Sequence, residues 1–186
     1  MRTILALLFL FPVLAIAGGP ELTTNTTATW KVEMGGDVHY DFIVKDITNL
    51  EGGRQFDYKM TNLQHTHGSV SISSDAMLNA TILHNYFDGG LLQLSDATSV
   101  WLSAKAFAGA KKGKVKLLAD HEVEEFELIE KKKMAMFVDG KQTNVTALYL
   151  VTDSGTKLWV LDNPKNPLIL KMDLGWTLTI MEYHSK

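Results

Sequence analysis

From Trp30 onward, apolar and polar residues alternate one by one. Trp30, Val32 and Met34 enclose Lys31 and Glu33. Val38, Tyr40, Phe42 and Val44 follow, with His39 and Asp41 between the first three. Phe56, Tyr58 and Met60 then enclose Asp57 and Lys59. A period of two sets one row of side chains on the core face of a sheet and the other in water. Gly35-Gly36-Asp37 and Gly52-Gly53 supply turn residues between these runs. Residues 68–73 predict a fourth strand.

The period then changes. Ser73-Ser74-Asp75 offers a helix cap, and Ala76, Ala80, Leu83 and Phe87 recur at helical steps until Asp88-Gly89-Gly90 ends the run. A second helix is predicted from Val100, Trp101, Ala104, Phe107 and Ala108, with Ser99 as its N-cap. Lys111, Lys112 and Gly113 close it, cations being favourable at a helix C-terminus.

Alternation returns from Lys114. It predicts strands near 114–119, 123–130, 133–138, 145–152, 157–162, 168–173 and 176–183, with Asp139-Gly140 and Asp153-Ser154-Gly155 as turns and residues 130–133 as a charged turn and edge. Lys157–Leu161 reads as a central strand covered on both faces. The expected class is α+β: mainly antiparallel β, a curled or partly closed sheet with two helices inserted mid-chain.

Upstream, Arg2, an apolar run over residues 4–16 and Ala15-Ile16-Ala17 have the order of a secretory signal peptide over residues 1–17. The run is well short of the roughly 20 residues that cross a bilayer, so no membrane anchor is expected. Residues 18–29, polar and threonine-rich, read as a flexible lead-in, and 30–186 as a single β-rich domain. The chain has no cysteine, which rules out disulfides and a lipid-modified cysteine and leaves stability to the core. A net charge of −3 gives no global attraction for nucleic acid or anionic membranes. The expected location is therefore periplasmic or secreted.

The motifs that could carry chemistry are few. Asp153-Ser154-Gly155-Thr156 matches the core of aspartic proteases, which need two such aspartates sharing a proton. One copy requires a homodimer, and Thr152 stands where an apolar residue belongs; a tight turn accounts for the same residues. His65 and His67, at i and i+2, would share one face of a strand and could chelate a metal, but no third ligand has diagnostic spacing. No Gly-x-Ser-x-Gly elbow or phosphate loop occurs. Lys111, Lys112, Lys114 and Lys116 form a small basic cluster that nearby Glu122, Glu124, Glu125, Glu127 and Glu130 answer. Asn25, Asn79 and Asn144 sit in glycosylation sequons, which in a bacterium would be chance matches, the reading favoured here. Trp30, Trp101, Trp159 and Trp176, with Tyr40, Tyr58, Tyr86, Tyr149 and Tyr183, could line a pocket in a curled sheet or simply fill its core.

The segment Leu158-Trp159-Val160-Leu161-Asp162-Asn163-Pro164-Lys165-Asn166-Pro167-Leu168-Ile169-Leu170 resembles one shared by uncharacterised exported proteins of Bacteroidota-type bacteria. The resemblance implies export and origin, and no activity. The function expected is non-enzymatic binding of an apolar ligand or a cell-envelope partner, without cofactor or assigned metal or catalytic residues. The alternative is a hydrolase that uses Asp153 in a homodimer.

Overall fold

In the computed structural model, residues 19–21, 26–61, 63 and 67–185 are described. The segment 1–17 read as a signal peptide lies outside them. Four strands come first: β1 (Thr27–Glu33), β2 (His39–Leu50), β3 (Gly53–Met60) and β4 (His67–Ile72). They form an antiparallel meander. The alternation works as expected, with Trp30, Val32, Phe42, Val44, Phe56, Tyr58 and Val70 all buried. The lead-in expectation needs correcting. β1 begins at Thr27, because its backbone pairs with the far end of the chain, and Gly19, Pro20 and Thr26 are buried.

The mid-chain helices are shorter than their periodicity suggests. Helix α1 (Ser74–Asn79) is capped by the Ser73 hydroxyl, which accepts from the Ala76 N–H at 3.1 Å. It stops at Ala80. The apolar residues beyond it belong to β5 (Ile82–Leu83) and to the irregular stretch 84–88. Gly90 opens a strand, β6 (Gly90–Leu94), and β7 (Ala97–Thr98) follows after two residues. Helix α2 (Ala104–Lys111) is capped by Ser103 instead of Ser99. Val100, Trp101 and Leu102 are all buried and not helical. Their backbone instead bonds the connection near Pro167: the Leu102 N–H donates to the Pro167 carbonyl at 3.0 Å, and the Ile169 N–H to the Val100 carbonyl at 2.9 Å. A strap buried on all sides satisfies its peptide groups this way.

The rest is strand: β8 (Lys114–Leu118), β9 (Val123–Val138), β10 (Lys141–Val151), β11 (Lys157–Leu161), β12 (Ile169–Asp173) and β13 (Thr177–His184). β9 runs straight through residues 130–133, where a turn was expected. Both faces are exposed there, so alternation vanishes although the ladder to β10 continues, with Lys131 opposite Leu148 and Lys133 opposite Thr146. β11 is central but covered on one face only, since Trp159 is half-exposed.

All thirteen strands make one sheet, in the order β6-β4-β3-β2-β1-β13-β12-β11-β10-β9-β8-β5-β7. It is mostly antiparallel and strongly curled. Two observations show the curl. β13 also pairs with β9, through Glu182–Phe137 and Tyr183–Val138, which closes β9 to β13 into a five-strand ring. The two outermost strands, β6 and β7, are joined by residues 95–96 alone, so the sheet's edges are held within about 11 Å of each other. The fold is thus α+β with a curled sheet, as the alternation predicts. Among the described residues no helix is long and apolar enough to cross a membrane.

One polar tie fastens α2 to the sheet. Asp162 receives Lys111 Nζ at 2.6 Å and Lys131 Nζ at 2.9 Å, one on each carboxylate oxygen. Burial pushes the carboxyl up, but the hydrogen bonds and charges of the two lysines outweigh it and hold it below the usual range. A carboxyl depressed on folding adds stability that is present above its unfolded-state pKa and lost as pH falls through the folded one. Asp162→Asn is therefore expected to melt below wild type at neutral pH, with the gap closing as pH falls below the usual carboxylate range. A gap that persists undiminished in acid would assign the loss to packing instead of charge.

Candidate functional site

The stretch 84–88 has no regular structure, yet it is pinned at several points. The His84 N–H donates to the Thr98 carbonyl at 2.7 Å. The His84 ring bonds the Tyr86 carbonyl, and the Asn85 amide donates to the Ala119 carbonyl. Phe87 packs its ring 4.8 Å from Phe42 and 4.9 Å from Tyr58, and Phe42 lies 6.1 Å from Trp30. The Tyr58 hydroxyl accepts from the Gly89 N–H at 2.9 Å. These contacts hold the segment against β2 and β3.

Between them lies a cleft of about 420 Å³. Tyr40, Trp176, Ile82, Leu83 and Leu118 line it. At the rim stand Tyr86, 72 % exposed, and Met34, 45 % exposed. Large apolar side chains held in water beside a concave surface are what a binding mouth presents. Burial pushes the Tyr40 hydroxyl up from its ordinary value, so it stays protonated at neutral pH and can both donate and accept.

Behind the cleft is a second space of about 20 Å³, which shares Tyr40, His84, Asn85 and Trp176 with it. Val32, Phe42, Met172 and Leu178 give it an apolar lining. Ser99 also lines it, 2 % exposed, with its hydroxyl unbonded among the described residues. Hydroxyl and imidazole do not form a nucleophile–base pair here. His84 commits its Nε2 to a backbone carbonyl, and His121 stands exposed at the opposite rim.

The residues singled out from sequence fall elsewhere. Asp153 is exposed at the tip of the β10–β11 turn. Its neighbours turn to Glu124: the Thr152 hydroxyl donates to Glu124 at 3.1 Å, and Ser154 bonds the same oxygen. The turn borders an open depression of about 370 Å³ flanked by Asp120, Glu122, Glu124 and Asp173. His67 starts β4 and is exposed, and His65 lies outside the described residues. Among the described residues no three histidine or carboxylate side chains converge as metal ligands. Within the basic cluster, Lys111 pairs with Asp162, and Lys114 with Glu125 and Glu127. Asn79 ends α1 and Asn144 lies in β10, while Asn25 is outside the described residues.

The aromatics divide three ways. Trp30, Trp101, Tyr58 and Tyr183 fill the core. Tyr40, Tyr86 and Trp176 border the cleft. Tyr149 and Trp159 stack on the outer face, ring centres 4.8 Å apart, with Lys132 and Lys171 over them. The sequence reading missed Met34, His84, Asn85 and Ser99. The available signal was two serines, Ser99 and Ser103, each placed to cap the same helix; only one could do so. In comparisons with family models, curated proteins and solved structures, the chain matches none.

Proposed function

We infer that this chain is an exported, non-enzymatic binding domain that takes a small apolar molecule into the cleft lined by Tyr40, Trp176, Ile82 and Leu118. The observation that carries the reading is the cleft itself: about 420 Å³ of aromatic-walled space with Tyr86 and Met34 exposed at its mouth. Burying such surface against a ligand releases roughly 25 cal/mol per Å², and the pinned backbone of 84–86 is already in place to receive it. The segment 1–17, with its charged start, short apolar run and Ala15-Ile16-Ala17, supports export. The resemblance of residues 158–170 to exported bacterial proteins supports a cell-envelope setting.

Native mass spectrometry of the protein purified from its own host tests both parts at once. The expected protein mass is that of a chain starting at Gly18, accompanied by an apolar small molecule. Tyr86→Ser combined with Met34→Ser should lose that molecule while keeping the wild-type melting temperature. A wild-type chain that carries no ligand and binds none of a panel of apolar compounds would end the binding reading. A soluble exported chain still beginning at Met1 would end the processing one.

A further inference from the structure

We propose that Ser99 is the polar anchor of the cleft, and that the ligand is an apolar molecule ending in a hydroxyl group that passes between Tyr40 and Trp176 to meet it. The proposal rests on the cleft being a ligand site and adds what kind of ligand it takes.

The starting point is an imbalance. A buried hydroxyl without a hydrogen bond carries a desolvation cost that folded chains rarely leave standing. Ser99 has that status: 2 % exposed and unpartnered. Its sequence position does not explain it, since the helix cap it could have formed is made by Ser103. Nor does the backbone of the strap need the hydroxyl, because the Val100 carbonyl and Leu102 N–H already find partners near Pro167.

What the hydroxyl faces narrows the answer. The chamber it lines, about 20 Å³, holds roughly one water-sized group. A water needs two to four polar partners. Much of the wall is apolar (Val32, Phe42, Met172 and Leu178), and the His84 Nε2 and the Asn85 amide N–H are committed to backbone carbonyls, which leaves the Ser99 and Tyr40 hydroxyls as the polar groups nearest to hand. A hydroxyl attached to an apolar body suits the place better. The hydroxyl fills the chamber and pairs with Ser99, and its body lies against Tyr40 and Trp176 in the larger cleft. No lysine, arginine, aspartate or glutamate lines the chamber, so a carboxylate or an ammonium would enter it without a fixed counter-charge.

The test uses two probes of one shape, 2-naphthol and 2-methylnaphthalene, titrated calorimetrically into wild type and Ser99→Ala. Wild type is expected to bind 2-naphthol roughly five- to tenfold more tightly, the worth of one hydrogen bond. Ser99→Ala should erase that preference while holding 2-methylnaphthalene at least as well. The variant removes one unpaired atom, so its melting temperature should match or exceed that of wild type. Equal affinities in wild type, or a preference that survives Ser99→Ala, would overturn the anchor and leave the apolar cleft standing. Failure of both probes to bind wild type would remove the cleft reading and the anchor with it.

Discussion

Trp101→Ala is expected to lower the unfolding free energy by about 3–5 kcal/mol, at the upper end for a buried aromatic truncated to alanine. The ring is 0 % exposed, at the centre of the buried strap before α2. It does more than fill volume. Its indole N–H donates to Asn166 Oδ1 at 2.9 Å, its ring lies tilted against Phe56 with ring centres 5.5 Å apart, and the Arg54 guanidinium lies 4.4 Å over its face. Arg54 depends on that face. It is buried at 6 % exposure, its Nη1 has no partner, and Nε reaches Asn49 only at 3.4 Å. Burial pulls its pKa down to about 10, against a smaller opposing effect of Tyr183. Removing the indole takes away a cation–π partner from a charge that pairs with no carboxylate among the described residues. Without disulfides, nothing covalent limits the loss. Denaturant unfolding measures it; a midpoint near that of wild type would mean the strap repacks around alanine. Lys105→Ala, on the exposed side of α2, should change little.

Asn166→Leu should cost about 2–4 kcal/mol although it adds apolar volume. Asn166 is buried in the connection between β11 and β12 and serves two partners: it accepts from Trp101 and donates to the Pro20 carbonyl at 3.2 Å. Leucine would leave an indole N–H and a peptide carbonyl both buried and unpaired, at about 1–3 kcal/mol each. The two substitutions share a hydrogen bond, so Trp101→Ala with Asn166→Leu should be clearly less damaging than the sum of the singles. Strict additivity in that cycle would show that the contact contributes nothing to stability.

These two residues also mark where the sequence was legible and where it was not. Alternation is a local signal, so β1 to β4 and most of the later strands could be read from residues a few positions apart. Trp101 shares helical spacing with Ala104 and Phe107, and from spacing alone it belongs to a helix. What takes it out is a backbone exchange with residues near Pro167, a partner that no window around position 101 contains. The same holds for Leu83 and Phe87, spaced for a helix but drawn into a short strand and an aromatic cluster by Thr98, Phe42 and Tyr58. In β9 the failure is the reverse: Glu130, Lys131, Lys132 and Lys133 carry no alternation because neither face is covered, and only the ladder to β10 keeps them extended. The cleft was legible only as an excess of aromatics. Which of them border it is decided by the curl of the sheet, and Ser99 becomes informative only once its hydroxyl is seen to have no use in the fold.

The pairing of β1 with β13, in which Trp30 stands opposite Ile180, sets the order in which this sheet can assemble. The meander of β1 to β4 and the hairpins from β8 onward form from neighbours, and their loops are cheap to close. Their union waits for two strands separated by nearly the whole domain, a contact whose closure entropy must be met before it is rewarded. Until then β1 keeps one edge unpaired, with Ala28, Trp30 and Val32 uncovered, the kind of edge that recruits other chains. A chain emerging from its N-terminus therefore spends its whole synthesis unable to finish folding. That delay is a hazard at high concentration, because an open edge and uncovered apolar rows persist for as long as the chain is being made.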